Sequence, residues 1–276
     1  MPSLVEKHDV FRALHARAAA FVVGNPWDAG SARILAALGY EALATTSAGL
    51  AFSIGRRDSA AALSRDIVLE NARSIVAATD LPVTADLEDG FGADPATCAE
   101  TVRLASGAGL VGGSIEDATG DPAMPIFDFA HAVERVAAAA GTARGLPFVL
   151  TARAENFLHG RPDLDDTIRR LQAFEAAGAD VLYAPGLPDL EAIRTVCRSV
   201  GRPVNVVMGL AGPTYPLAEL AAAGVRRISV GGSFARAALG ALARAAREVK
   251  EHGTFGYAAT AMPAREATAY MLDEKR

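Results

Sequence analysis

Two cysteines in 276 residues, Cys98 and Cys197, are too few and too far apart for a disulfide scaffold. Both fall in alanine-rich stretches that read as helix, so they are expected to be free thiols in a reducing cytoplasm, with no catalytic part. No apolar run approaches the roughly 18 residues of a membrane-spanning helix. The first twenty residues alternate acids and bases at helical spacing instead of forming a secretory leader's apolar centre. A soluble protein with no membrane partner is the expectation. Basic clusters are missing too: 27 Lys and Arg stand against 32 Asp and Glu, a net charge of -5, with no stripe of cations and aromatics to track a nucleic acid. Absent as well is a glycine-rich dinucleotide fingerprint, because the turn after the first apolar run reads Asn25-Pro26-Trp27-Asp28-Ala29-Gly30.

What the chain does contain is one unit repeated: a short apolar run, a polar or glycine-bearing turn, then an alanine-rich helix stopped by Ala-Gly or a similar signal. The runs fall at 21–24, 42–45, 82–86, 112–115, 147–151, 180–183, 203–207 and 227–230. Helix stops such as Leu38-Gly39, Ala177-Gly178 and Ala223-Gly224 separate them. Eight strand-then-helix units in series predict an α/β fold, a (β/α)8 barrel, and 51% hydrophobic residues suffice for its core. The expectation is a single barrel domain over 1–276 with an N-terminal helix. A C-terminal extra helix is expected after the Thr254-Phe255-Gly256 break, packed on a neighbouring subunit.

Chemistry in such a barrel gathers at the carboxyl ends of the strands, so position along each unit predicts role. Asp86 and Glu88 follow the third run, and Glu116 and Asp117 follow the fourth. Carboxylates so close repel one another unless a cation offsets them, and an all-oxygen set suits Mg2+, with Mn2+ as a substitute. The competing reading is that each acid merely caps the next helix. Arg153 offers a planar fork for a substrate carboxylate, or else closes the barrel mouth on Glu155 or Asp180. Trp27 lies after the first run, Tyr183 after the sixth and Arg236 after the eighth. His159, in His159-Gly160-Arg161-Pro162, could reach over the site from its loop. Gly231-Gly232-Ser233 either holds a phosphate or lets a helix pack closely.

Several of these stretches, in this order, resemble the isocitrate lyase/phosphoenolpyruvate mutase superfamily. They are Pro26-Trp27-Asp28-Ala29 with Ser31-Ala32-Arg33, Thr46-Ser47-Ala48-Gly49-Leu50 leading to Gly55-Arg56-Arg57-Asp58, Asp86-Leu87-Glu88-Asp89-Gly90-Phe91-Gly92, Ile115-Glu116-Asp117, and Thr151-Ala152-Arg153 ahead of Gly178-Ala179-Asp180. The resemblance implies a barrel whose eighth helix is exchanged between subunits of a homodimer or homotetramer. It implies enzymes that make or break C–C or P–C bonds beside a 2-oxo acid through an Mg2+-stabilised enolate. Carried onto this chain, Asp86 would ligate the metal directly, with Glu88, Glu116 and Asp58 acting through waters. Thr46, Ser47 and Ala48 would hold the substrate carboxylate, Arg153 the other side of the oxo acid, and Arg236 a further part of the substrate.

Two departures bear on function. The branch that cleaves isocitrate or methylisocitrate carries a Lys-Arg-Cys-Gly-His-like loop after its fourth strand. Here that loop is Asp117-Ala118-Thr119-Gly120-Asp121-Pro122-Ala123-Met124-Pro125, which lacks Cys, Lys and His. A family histidine or glutamate after the sixth strand is likewise replaced, since Tyr183-Ala184-Pro185-Gly186 puts alanine there. Proton delivery would then fall to Tyr183, Tyr215 or His159. The reading that results is an Mg2+-dependent lyase on a small 2-oxo- or 2-hydroxy-carboxylate, most simply cleaving C–C. Alternatives are an oxaloacetate-type decarboxylase or hydrolase, a phosphonopyruvate-type P–C enzyme, or a non-catalytic 2-oxo acid binder.

Overall fold

The structure, a computed structural model, describes residues 2–58 and 63–271. Eight parallel strands form one sheet: β1 (Phe21–Val23), β2 (Leu43–Ala44), β3 (Val83–Asp86), β4 (Gly112–Glu116), β5 (Val149–Arg153), β6 (Val181–Tyr183), β7 (Val204–Val207) and β8 (Arg227–Ser229). Their order is β1-β8-β7-β6-β5-β4-β3-β2. A parallel bridge between Gly24 and Leu43, with the Ala44 N–H donating to the Gly24 carbonyl at 2.9 Å, joins the two ends. The expected (β/α)8 barrel is therefore present, with each strand in its anticipated window. β4 runs one residue longer, to Glu116, and β5 is displaced by two residues; the shift matters, since Arg153 becomes the last residue of a strand instead of the second of a loop.

Around the strands lie α1 (Leu4–Ala16), α2 (Ala29–Ala37), α3 (Ser47–Ser53), α4 (Arg65–Ala77), α5 (Pro95–Gly107), α6 (Phe129–Ala143), α7 (Leu164–Ala177), α8 (Leu190–Ser199), α9 (Leu217–Ala222) and α10 (Ser233–His252). The helix starts are sequence-encoded. Asp28, Thr46, Ser64, Asp94, Asp128, Asp163 and Asp189 each accept a first-turn N–H with the side chain. At the end of α7 the chain reverses through Gly178 at φ +112°, a conformation costly for any residue with a Cβ.

Two layers of apolar side chains hold the barrel. Between strands and helices runs the main core, including Leu69, Ile75, Leu110, Ile115, Leu150, Leu171 and Phe174. At the N-terminal end α1 lies across the opening, and Phe11, Leu14 and Phe21 pack with Val23, Val111, Val149 and Val181. Inside β4, a Cβ at Gly113 would come within 2.5 Å of Leu87 Cδ1, so glycine there allows the β3–α5 connection to press onto the sheet.

A helix α11 (Ala264–Tyr270) does follow the 254–256 break, and it lies against α2 of the same chain, where Arg33 Nε donates to the Tyr270 carbonyl at 3.1 Å. By contrast α10 leaves the barrel almost uncovered: Ala235 is its one buried residue, while Leu239 and Leu242 are 43% and 66% exposed.

Candidate active site

Parallel register sets the ends of β4, β5 and β6 level with one another and the end of β3 two residues lower. Asp86 pairs with Ser114, Glu116 with Arg153, and Arg153 with Tyr183. The final residues of β3, β4, β5 and β6 thus meet at one rim. Arg153 is the hub. Its Nη1 lies 3.1 Å from Asp86 Oδ1 and 3.1 Å from Glu116 Oε2, and its Nε 2.9 Å from Glu155 Oε1. The guanidinium also stands 4.9 Å from the centre of the Tyr183 ring.

Asp86 is fixed from two further sides: Ser47 Oγ donates to its Oδ2 at 2.9 Å, and its own N–H donates to Thr45 Oγ1 at 3.1 Å. Glu88 follows in a left-handed conformation, φ +48°, its N–H directed at Asp86 Oδ1. A non-glycine residue held there costs roughly 1–3 kcal/mol, which sharp turns at ligand sites often carry. Asp117 stands outside this group. It is buried, paired with Arg170 at 2.9 Å, and accepts the Glu155 N–H at 2.8 Å, so it props the β5 loop beneath Arg153.

One guanidinium serves too many carboxylates. Burial works against the Arg153 charge, but Glu116, Glu155 and Asp86 more than offset that and hold it charged above its usual range. Glu116 goes up instead: burial dominates, and the single cation it faces is shared with Glu155 and Asp86. Burial, then Asp86, Asp89 and Asp58, push Glu88 up to about 8. Asp58, on the exposed rim, is raised by partial desolvation and by Asp86. A cluster this short of positive charge, made only of hard oxygen donors, fits a divalent cation. Among the described residues no three acids, histidines or cysteines already form a ready-made metal cage, and Arg153 is ion-paired with both Asp86 and Glu116.

The acids cap no helices, which removes the competing reading of them: Asp94 caps α5 and Asp128 caps α6. Of the two partners expected to close the barrel mouth on Arg153, Glu155 is held, whereas Asp180 accepts the Leu150 N–H instead. Thr46 caps α3 and lines the cavity below Arg153, Ser47 reaches Asp86, and Ala48 packs on Gly232. Tyr183 lines that same cavity, and burial raises its phenol above the ordinary range, keeping it protonated.

Three expected residues are not brought to the cluster. His159 lies in the loop after β5 with its backbone N–H near Glu155 and Asn156, and it lines neither cavity that Arg153 borders. Arg236 is exposed on α10. Trp27 anchors packing: its carbonyl accepts from Asn71 at 2.9 Å and its Cβ abuts Gly49. Within the Gly231-Gly232 pair the first N–H is committed, because Gly231 donates to Asn25 Oδ1 at 3.1 Å beside the Val230 N–H at 2.9 Å.

Sequence reading missed Arg227. Buried inside the barrel, it donates to Asn205 Oδ1 at 2.8 Å and Thr151 Oγ1 at 3.0 Å, and its remaining Nη1 has no partner. It lines a cavity of about 70 Å3 beneath Arg153. Burial lowers its pKa to about 10. The one available signal was an arginine opening an otherwise apolar strand.

Residues 11–250 match the phosphoenolpyruvate phosphomutase family. The chain belongs to that family. Its relatives in the wider isocitrate lyase/phosphoenolpyruvate mutase superfamily include lyases. Escherichia coli 2-methylisocitrate lyase is 29% identical over 81% of this chain and 77% of its own length. A crystal structure from Burkholderia cenocepacia, described provisionally as a lyase/mutase, is 58% identical, covers 97% of this chain and 96% of its own, and superposes with a TM-score of 0.94. The structure of 2,3-dimethylmalate lyase is 27% identical over 99% of this chain and 97% of its own, with a TM-score of 0.87. Among the described residues, no helix of this family member is long and apolar enough to cross a membrane.

Proposed function

We propose that the protein is a divalent-cation-dependent carbon–carbon lyase for a small 2-oxo- or 2-hydroxy-carboxylate. The observation that carries this reading is the excess of carboxylates over cations at the strand ends, gathered on the single guanidinium of Arg153. Asp86, Glu88 and Glu116 would hold Mg2+ or Mn2+, with Asp58 on the rim. Such an ion, when bound, supplies Lewis-acid stabilisation of negative charge at carbonyl and carboxylate oxygens. Arg153 binds a substrate carboxylate by its fork, exchanging part of its hold on Asp86 and Glu116 for the ligand. Ser47 Oγ and the start of α3 supply further donors at the same rim. Tyr183, protonated and beside Arg153, is a hydroxyl donor available to the leaving fragment in place of the missing cysteine loop.

Reduced thiols at Cys98 and Cys197 agree with a cytoplasmic location. The uncovered apolar side of α10 agrees with its exchange between subunits. Cleavage of P–C is less well supported, since the N–H groups of Val230 and Gly231 are already spent on Asn25.

Turnover measured on oxaloacetate, isocitrate, methylisocitrate, alkyl-substituted malates and phosphonopyruvate, with Mg2+ and in a chelator, tests the proposal. The expected result is C–C cleavage only with metal, abolished in Asp86→Asn. Unchanged turnover in the chelator, or metal-dependent binding with no turnover of any compound, overturns it, the latter in favour of a binding protein.

A further inference from the structure

Beside Arg153, on the side away from the acids, opens a second cavity of about 320 Å3. Arg153 and Tyr183 form its polar edge, and the rest of its wall is mainly apolar: Leu158 from the loop after β5, Ala184 and Leu187 from the loop after β6, and Val206, Met208 and Leu210 from β7 and the loop after it. Ala184, Leu187 and Val206 are buried, whereas Leu158 and Leu210 are 55% and 40% exposed. Two leucines left wet in the wall of an otherwise dry recess lose contact with water when something apolar sits against them. The recess lies where alanine stands in place of a family histidine or glutamate, and the residues of that loop that line it, Ala184 to Leu187, carry no ionisable group to oppose an apolar guest.

We infer that the compound held at Arg153 carries an apolar substituent of several carbons, lodged between the loops after β5, β6 and β7. This rests on the 2-oxo acid reading above, because Arg153 must take the carboxylate for the substituent to enter. Continuity selects the occupant: the recess shares Arg153 and Tyr183 with the catalytic rim, so a group attached to the bound acid reaches it without crossing solvent. Its volume sits near the lower bound of the roughly 300–1,000 Å3 usual for small-molecule sites, which suits an alkyl branch and not a second polypeptide. A second carboxylate would find no cation other than Arg153 on that wall. The substrate class is thus a 2-oxo- or 2-hydroxy-acid with an alkyl side chain, distinct from the all-polar tricarboxylates.

Titration calorimetry with Mg2+ present, using pyruvate, 2-oxobutanoate, 2-oxopentanoate and 2-oxohexanoate, reads the inference directly. Each added methylene should tighten binding about fourfold until the recess is filled. The ratio of longest to shortest chain is then compared within each of two variants, Leu158→Asp and Leu210→Asp, whose side chains are exposed enough to change without unfolding the barrel. In both, the gain per methylene should fall below about twofold. A flat series in the parent protein, with pyruvate still bound, overturns the apolar subsite and leaves the 2-oxo acid reading standing. A steep series preserved in both variants overturns the location. Failure of every 2-oxo acid to bind, with or without metal, overturns both.

Discussion

At the N-terminal end of the barrel, α1 sets Phe11 against Phe21 with ring centres 6.4 Å apart, and His15 packs edge-on to both at 4.6 and 5.0 Å. At the C-terminal end, Asp86, Glu116 and Glu155 converge on Arg153. Both ends bury ionisable groups, by opposite means. The lower end neutralises: desolvation, helped by the Arg227 charge, lowers His15 to about 3, and its Nδ1 is satisfied by the Phe11 carbonyl at 2.8 Å. The upper end concentrates charge and leaves it partly uncompensated. An apolar seal contributes stability whatever binds above it, while a surplus of carboxylates costs stability until a cation arrives. Stability and ligand response should therefore separate along the barrel axis.

The largest break in that separation should come from Arg153→Met. Removing one partner of a buried ion-pair set typically costs about 3–5 kcal/mol, and here it strands three carboxylates. The thermal midpoint without metal should drop sharply, Mg2+ should restore more of it than it adds to the parent, and turnover should fall by at least about 10²-fold. Scanning calorimetry at several Mg2+ concentrations checks this. A variant with parental stability and no enhanced metal response would mean that Arg153 is not the counter-charge of the cluster. Next in size is Phe11→Ala, expected to cost about 3 kcal/mol through the cavity left under the barrel. Denaturant titration should show that loss undiminished at saturating Mg2+, because the lower seal does not feel the rim. A change in the metal-induced increment would contradict the independence of the two ends.

How legible was this in the chain? Strand windows and helix stops could be read because period, capping residues and glycine stops are local signals, and a (β/α)8 barrel follows from eight of them in series. Asp86, Glu88, Glu116 and Arg153 were legible as a group for the same reason, since each closes or follows an apolar run. Arg153's register was not, because a shift of two residues in β5 turns on pairing with Glu116 and Tyr183, which sequence does not display. His159 was placed by loop position alone, and Arg236 by its place after the eighth run together with the resemblance; neither signal determines the direction of the side chain. Arg227 escaped notice because an arginine inside a barrel needs neutral partners from other strands, here Thr151 and Asn205. Their role appears only once the sheet closes. Asp117 stood one residue from Glu116, yet strand alternation sends it to the opposite face, toward Arg170.

The smallest effect, and the one that sharpens the contrast most, concerns His15. Its folded-state pKa, about 3, lies below the ordinary imidazole value of about 6.5, so the fold favours the neutral ring. The stability that depends on this neutrality is fully present above the unfolded pKa and is lost as pH falls from about 6.5 toward 3, since the unfolded chain then binds a proton that the fold refuses. The slope is at most about 1.4 kcal/mol per pH unit, and integration to pH 5 gives a loss of about 2 kcal/mol. Glu88 and the other rim acids titrate across part of the same range, but they do so in parent and variant alike. The difference between the parent and His15→Phe should isolate the lower end, because phenylalanine keeps the edge-on packing with Phe11 and Phe21 and carries no proton site. Urea denaturation at half-unit steps from pH 7.5 to 5 should show the parent losing stability relative to His15→Phe by that amount. Two curves that stay parallel would mean that His15 accepts a proton in place, through the cavity shared with His8 and Arg12, and that the lower end is wetter than its packing indicates.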